Sequence, residues 1–121
     1  MIGSTRSKFG RREHKRKELM GSLLRSLVLY ESIVTTRVRG KELKKMFDLF
    51  VSRAKKQFDK DYVQGIRYTR RWLKDEELSK KFYHTILSRV KDLNGGYTNM
   101  YPTYNRISDS APRVKLVILN P

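Results

Sequence analysis

An α+β fold is what this sequence predicts, on three observations. Apolar residues recur at helical spacing in four stretches. Three short stretches rich in β-branched or aromatic residues lie between and after them. Asn94, Gly95 and Gly96 then separate the last helix from the last two strands. The 121 residues suffice for one core and not comfortably for two. The expected division is therefore an extended basic arm over residues 1–11 and one domain over residues 12–121.

In the arm and the turn that follows it, Arg6, Lys8, Arg11, Arg12, Lys15, Arg16 and Lys17 face only Glu13 and Glu18. No apolar period begins before Leu19. Such a run is usually a solvated face. In a chain this basic, an arm that inserts among phosphates is the favoured reading, with His14 beside it. The first helix is expected over residues 12–30. Leu19, Leu23 and Leu27 recur every four residues, and Met20, Leu24 and Val28 form the next row. Gly21, Ser22, Arg25 and Ser26 are expected on the opposite side.

Residues 32–36, SIVTT, read as a strand, and Thr35 or Thr36 is placed to cap the helix that follows. That second helix is expected over residues 37–56, with Leu43, Met46, Phe47, Phe50, Val51 and Ala54 as its buried stripe. Arg37, Arg39, Lys41, Lys44 and Lys45 crowd its start, where cations oppose the helix dipole. The arrangement makes sense if phosphate binds there, because helix N-termini are anion sites. Ordinary surface lysines are the bland alternative.

Two more helices follow, the first capped by Asp59 or Asp61 and the second by Asp75. The first should bury Tyr62, Ile66, Thr69 and Leu73, with Trp72 nearby and Gly65 weakening it. The second should bury Leu78, Phe82, Ile86 and Val90. Residues 97–104 alternate aromatic and polar side chains and read as an edge strand because of Pro102. Val114, Leu116 and Ile118 mark one face of the last strand. These two should pair as a hairpin, with the early strand joining them in a small mixed sheet.

Composition narrows function. Lys plus Arg is 28 against 12 acids, a net charge of +16, which calls for a polyanionic partner. Phosphate backbones are favoured over an anionic membrane, because the apolar helix faces are needed for the core. No cysteine is present, so disulfides and thiolate zinc sites are excluded. No apolar run reaches a membrane span, and the first residues lack a signal-peptide core, although a short organelle-targeting role is compatible with them. His14 and His84 lie in different elements with no partner group for catalysis. The acids alternate with Lys and Arg as in helix-face ion pairing, and no pair stands at a metal-binding spacing. GxGxxG and GxxxxGK(S/T) are absent. No enzyme, cofactor, metal or small-molecule substrate is expected. Gly95 and Gly96 would let backbone amides approach a phosphate, or simply stop a helix. Tyr97, Tyr101 and Tyr104 would stack on bases, or pack on a half-buried strand. Recognition by shape and backbone is expected, with steep salt dependence.

At GGYT (Gly95–Thr98), DSAP (Asp109–Pro112) and the closing VKLVIL, the chain resembles the bacterial-type family of large-subunit ribosomal protein 17. ESIVTT followed by KEL (Glu31–Thr36, Lys41–Leu43) is similar to that family's HERIVTT and KEL, and KFGR and HKRK to its KLGR and SHRK. Order and spacing together make the resemblance specific over nearly the full length. It implies a two-layer α/β domain in the order helix, strand, three helices, two strands. It implies Arg106 among the RNA-binding residues, and a structural, non-catalytic role on large-subunit ribosomal RNA beside neighbouring ribosomal proteins, near the outer end of the peptide exit tunnel. Gly21–Ser22, Tyr30, Asn99, Pro102 and Ser108 depart from the family pattern. With the abundant Tyr and Phe, these departures favour an organellar member, the mitochondrial matrix ahead of a bacterial cytoplasm. The competing readings are a free DNA- or RNA-binding module, which leaves GGYT and the hairpin unexplained, and a small nuclease, which lacks its acid cluster.

Overall fold

The computed structural model describes residues 13–104 and 111–119. Seven elements follow one another: α1 (Glu13–Tyr30), β1 (Ser32–Thr36), α2 (Arg37–Lys60), α3 (Tyr62–Leu73), α4 (residues 76–90), β2 (Thr98–Pro102) and β3 (Arg113–Ile118). The α+β class and the element order agree with the sequence expectation. So do Thr36 as the α2 cap, accepting from the Arg39 amide at 3.4 Å, and Asp75 as the α4 cap, accepting from the Glu77 amide at 3.0 Å.

β3 is the middle strand, in the order β1-β3-β2. Both pairings are antiparallel, with Thr35 opposite Val114 and Met100 opposite Leu116. The sheet is therefore not mixed. The chain enters β3 beside the point where it leaves β1, as the Arg37 amide donating to Pro112 O at 3.1 Å records. β2 also finishes at that end, with Pro102 opposite Val114, so both neighbours run antiparallel to β3. Val114, Leu116 and Ile118 point inward, as the alternation predicts.

One core joins the layers. Leu24, Leu27 and Val28 of α1, Leu43, Phe47, Phe50 and Val51 of α2, Leu73 of α3, and Phe82, Ile86 and Val90 of α4 meet Tyr97, Leu116 and Ile118. Phe50 is its hub, with ring centroids 5.0 Å from Phe82, 6.0 Å from Tyr68 and 6.4 Å from Trp72. Emptying such a position typically costs about 3–5 kcal/mol.

Some local readings change. α2 runs one turn past residue 56, because nothing in QFDK breaks it and Phe58 has ring partners in Tyr62 and Tyr83. Asp61 is the sole residue between α2 and α3 and makes no side-chain capping bond. Tyr62, expected in the core, is 40% exposed, and Gly65 is buried instead. A Cβ on Gly65 would stand 2.1 Å from Phe58 Cδ1, so the glycine is what allows α3 to fold back on α2. Gly21, expected on the outer face, is also buried. α4 is α-helical at Glu76–Lys81 and Ser88–Val90 but wound as π-helix at Phe82–Leu87. Its apolar residues recur strictly every four positions. In an α-helix that row drifts by about 40° per step, and a wider turn brings it back.

Candidate nucleic-acid interface

The basic start of α2 is built by backbone bonds. Thr36 turns the chain from strand to helix, Pro112 O takes the Arg37 amide, and Gly40 lets the helix lie against β3. A Cβ on Gly40 would be 2.5 Å from Val114 Cγ2. Arg37, Lys41 and Lys45 are exposed and Arg39 is half-buried. The first turn holds no acid, so the helix dipole and these side chains add positive potential at one place. Lys44, grouped with them in the sequence, does a different job: its ammonium donates to Thr98 O and, at 3.2 Å, to Thr98 Oγ1, tying α2 to β2.

On the first turn of α1, His14, Lys15 and Lys17 are exposed and Arg16 is half-buried. Arg6, Lys8, Arg11, Arg12 and Arg106 lie outside the described residues.

The glycine turn separates two readings. Gly95 has φ +144° and Gly96 φ +62°, and a Cβ on either would meet nothing within 4 Å. Backbone conformation, not crowding, requires glycine there. Tyr97 is 1% exposed, with no ring face open to a base. Its amide donates to Asp48 Oδ1 at 3.3 Å, its hydroxyl donates to Leu93 O at 3.3 Å, and the Lys55 ammonium lies 5.2 Å from its ring centroid. The packing reading of this tyrosine is the one the geometry carries. Tyr101 and Tyr104 are 50% and 90% exposed.

Two surfaces were missed by motif reading. The outward sheet face sets Lys115 between Val34 and Tyr101 in one cross-strand row. The alternation in RVKLVI was the signal for it. The second is a cleft of about 490 Å³ between α1, α2 and the end of α3, lined by Arg16, Lys17, Arg25, Arg71, Lys74 and Trp72 among others. Only the dipeptide-level mixture of Arg and Trp in RRWLK hinted at it.

Two further groups of contacts are different in kind. The Tyr83 ring lies tilted against Phe58 at 4.6 Å and edge-on to Tyr62 and His84 at 5.0 Å, centroid to centroid. Glu31, in the left-handed region at φ 65°, receives Arg89 and, at 3.5 Å, Lys81. The Arg89 hydrogen bond holds its carboxyl below the usual glutamate range. Partial burial opposes that shift, and the charges of Arg89 and Lys81 reinforce it. Among the described residues no three His, Asp or Glu side chains gather where a metal would sit, and no helix is long and apolar enough to cross a membrane.

Comparison with known proteins bears on most of the chain. The family model described as Ribosomal protein L17 matches residues 19–118. The large ribosomal subunit protein bL17 of Thermodesulfovibrio yellowstonii is 40% identical over 108 residues, 89% of this chain and 78% of that protein. The bL17 of Coprothermobacter proteolyticus is 37% identical over 105 residues, 87% and 86% of the two chains. That of the Aster yellows witches'-broom phytoplasma is 35% identical over 112 residues, 88% and 92%.

Proposed function

The chain belongs to the ribosomal protein L17 family, and on that premise we propose that it is a structural, non-catalytic constituent of the large ribosomal subunit. It holds ribosomal RNA through phosphates and shape, packs against neighbouring large-subunit proteins, and lies near the peptide exit tunnel. The observation that carries this reading is the family match over residues 19–118, which takes in the cation-rich start of α2 and the GGYT hairpin, in a chain with a net charge of +16. The cation-rich, acid-free start of α2 supplies the physics, since each phosphate neutralised releases counterions. Lys15, Arg16, Lys17, Arg37, Arg39, Lys41 and Lys45 are the phosphate contacts, with His14 on the first turn of α1, Arg6, Lys8, Arg11 and Arg12 ahead of it, and Arg106 between β2 and β3 in the sequence. Gly95 and Gly96 shape the turn that presents the hairpin, and Lys44 and Tyr97 hold it from beneath.

The compartment follows the ribosome. The relatives named above are bacterial, and they lend no support to the preference for a mitochondrial matrix. Cosedimentation with large subunits through a high-salt gradient tests the assignment. Retention is the expected result. A protein that elutes free at moderate salt, and binds duplex DNA as well as RNA, is a free nucleic-acid module instead.

A further inference from the structure

We infer that the cleft between α1, α2 and the end of α3 seats one unpaired nucleotide of a single-stranded RNA segment. The inference rests on the RNA-binding reading above and adds a site of a different kind to it. The cleft, about 490 Å³, falls within the roughly 300–1,000 Å³ of small-ligand sites. Its wall has two chemistries. Met20, Met46 and Trp72 give it an apolar floor, and Arg25, Arg71 and Lys74 stand among its cations. A bare phosphate has no use for an indole and two thioethers, and an apolar peptide has no use for the guanidinium groups. A nucleotide presents a flat π-face and a phosphate together.

The parts are held in place. Arg25 Nη1 donates to the backbone carbonyl of Trp72 at 3.3 Å, which ties the α1 guanidinium to the end of α3 that carries the indole. Phe50 meets that indole edge-on from behind, centroids 6.4 Å apart. Gly21 leaves the α1 wall bare, and a Cβ there would come within 3.2 Å of Arg25 Nη1. Arg71 and Lys74 are exposed and enter no ion pair among the described residues. Glu18 and Glu42 line the same cleft, which disfavours a polyanion lying along its whole length and leaves the phosphate to the α3 end. A paired base keeps its faces inside the stack, so the occupant must be unpaired. The chain's own basic arm is repelled by the same cations.

Trp72 is the sole tryptophan, so its emission reports on this cleft alone. The experiment uses the full chain, with oligouridylate and an RNA duplex of equal phosphate number as probes. Binding is followed by an end label and, separately, by Trp72 fluorescence. Oligouridylate should quench Trp72 and the duplex should bind without quenching. Arg71→Glu combined with Lys74→Asn, which suits the left-handed backbone at that position, should weaken oligouridylate about tenfold and leave the duplex within about twofold. Gly21→Leu, checked for folding by circular dichroism, should abolish quenching without any change of charge. Oligouridylate that binds without quenching, or equal losses for both probes in the double variant, overturns the nucleotide site while leaving the RNA-binding reading intact. Tighter quenching by an acidic peptide overturns it in favour of a protein partner. Failure of both RNAs to bind the unaltered chain overturns the broader reading itself.

Discussion

The two ends of α2 are closed by different forces. The helix has 24 residues, about 36 Å. At its start the closure is by backbone and polar bonds: the Thr36 cap, the Arg37 amide on Pro112, Lys44 on Thr98. Arg37 and Lys41 are exposed there, and the first turn holds no acid. At its far end the closure is by rings, Phe58 against Tyr62 and Tyr83, and the helix turns into α3 through Asp61 alone. Each end makes a close approach at a glycine, Gly40 of α2 under Val114 and Gly65 of α3 under Phe58 of α2. The difference separates stability from function. The far end is closed by apolar contacts, and the near end carries positive potential from its cations and the helix dipole together.

The largest effect should come from Phe50, which both ends lean on. Phe50→Ala should lower stability by about 3–5 kcal/mol, read as a drop in urea midpoint. If the loss is below about 1 kcal/mol, the shared core is not what links the two ends. Next come the glycines. Gly65→Ala should cost toward the upper part of about 1–3 kcal/mol, and Gly40→Ala less, because the added methyl group meets a ring at 2.1 Å in one case and a valine methyl at 2.5 Å in the other. Reversed costs would mean that the sheet end is the more rigid. Tyr97→Phe, which removes the hydroxyl bond to Leu93 O, should cost about 1 kcal/mol and leave RNA affinity in place. A larger loss of affinity than of stability would restore Tyr97 as a contact.

Smaller changes in stability sharpen the contrast from the charged side. Arg37→Gln with Lys41→Gln should leave the fold as stable or firmer by about 0.3–1 kcal/mol, since two cations leave the positive end of a dipole. The same pair should flatten the salt dependence of RNA binding by about 0.7–0.9 in log–log slope per charge removed. An unchanged slope would move the phosphate contacts elsewhere. Smallest is a pH effect at Glu31. Its folded pKa is held down, so its ionised form stabilises the fold; that contribution is full above the ordinary glutamate range and is lost as pH falls through the lowered value. Glu31→Gln should make stability less sensitive to acid in that window, measured by denaturant titration at successive pH values.

The helices were legible because their apolar rows are long and regular, and the caps because Thr36 and Asp75 precede those rows directly. The buried faces of Gly21, Gly40 and Gly65 were not legible. A glycine at a close approach looks the same in sequence as a glycine that merely weakens a helix, and only the partner ring or methyl group distinguishes them. Lys44 and Tyr97 show the same limit at the candidate interface. Residue type placed them among cations and stacking aromatics, but the helix phase of Lys44 and the inward side of the turn at Tyr97 direct both into the protein. The Trp72 cleft was hidden for a related reason, since its walls come from three helices and no short segment contains them.

The position of β3 has a further consequence, for the timing of assembly. It is the middle strand of the sheet and the last of the three along the chain, so β1 and β2 have no partner until it has been made. A chain that emerges N-terminus first, at about 5–20 residues per second, presents its helices and the cation-rich start of α2 while both strands still wait. Loss of β3 would not leave a smaller sheet. It would leave two separate unpaired edges on a helical body, a species prone to pair with its neighbours.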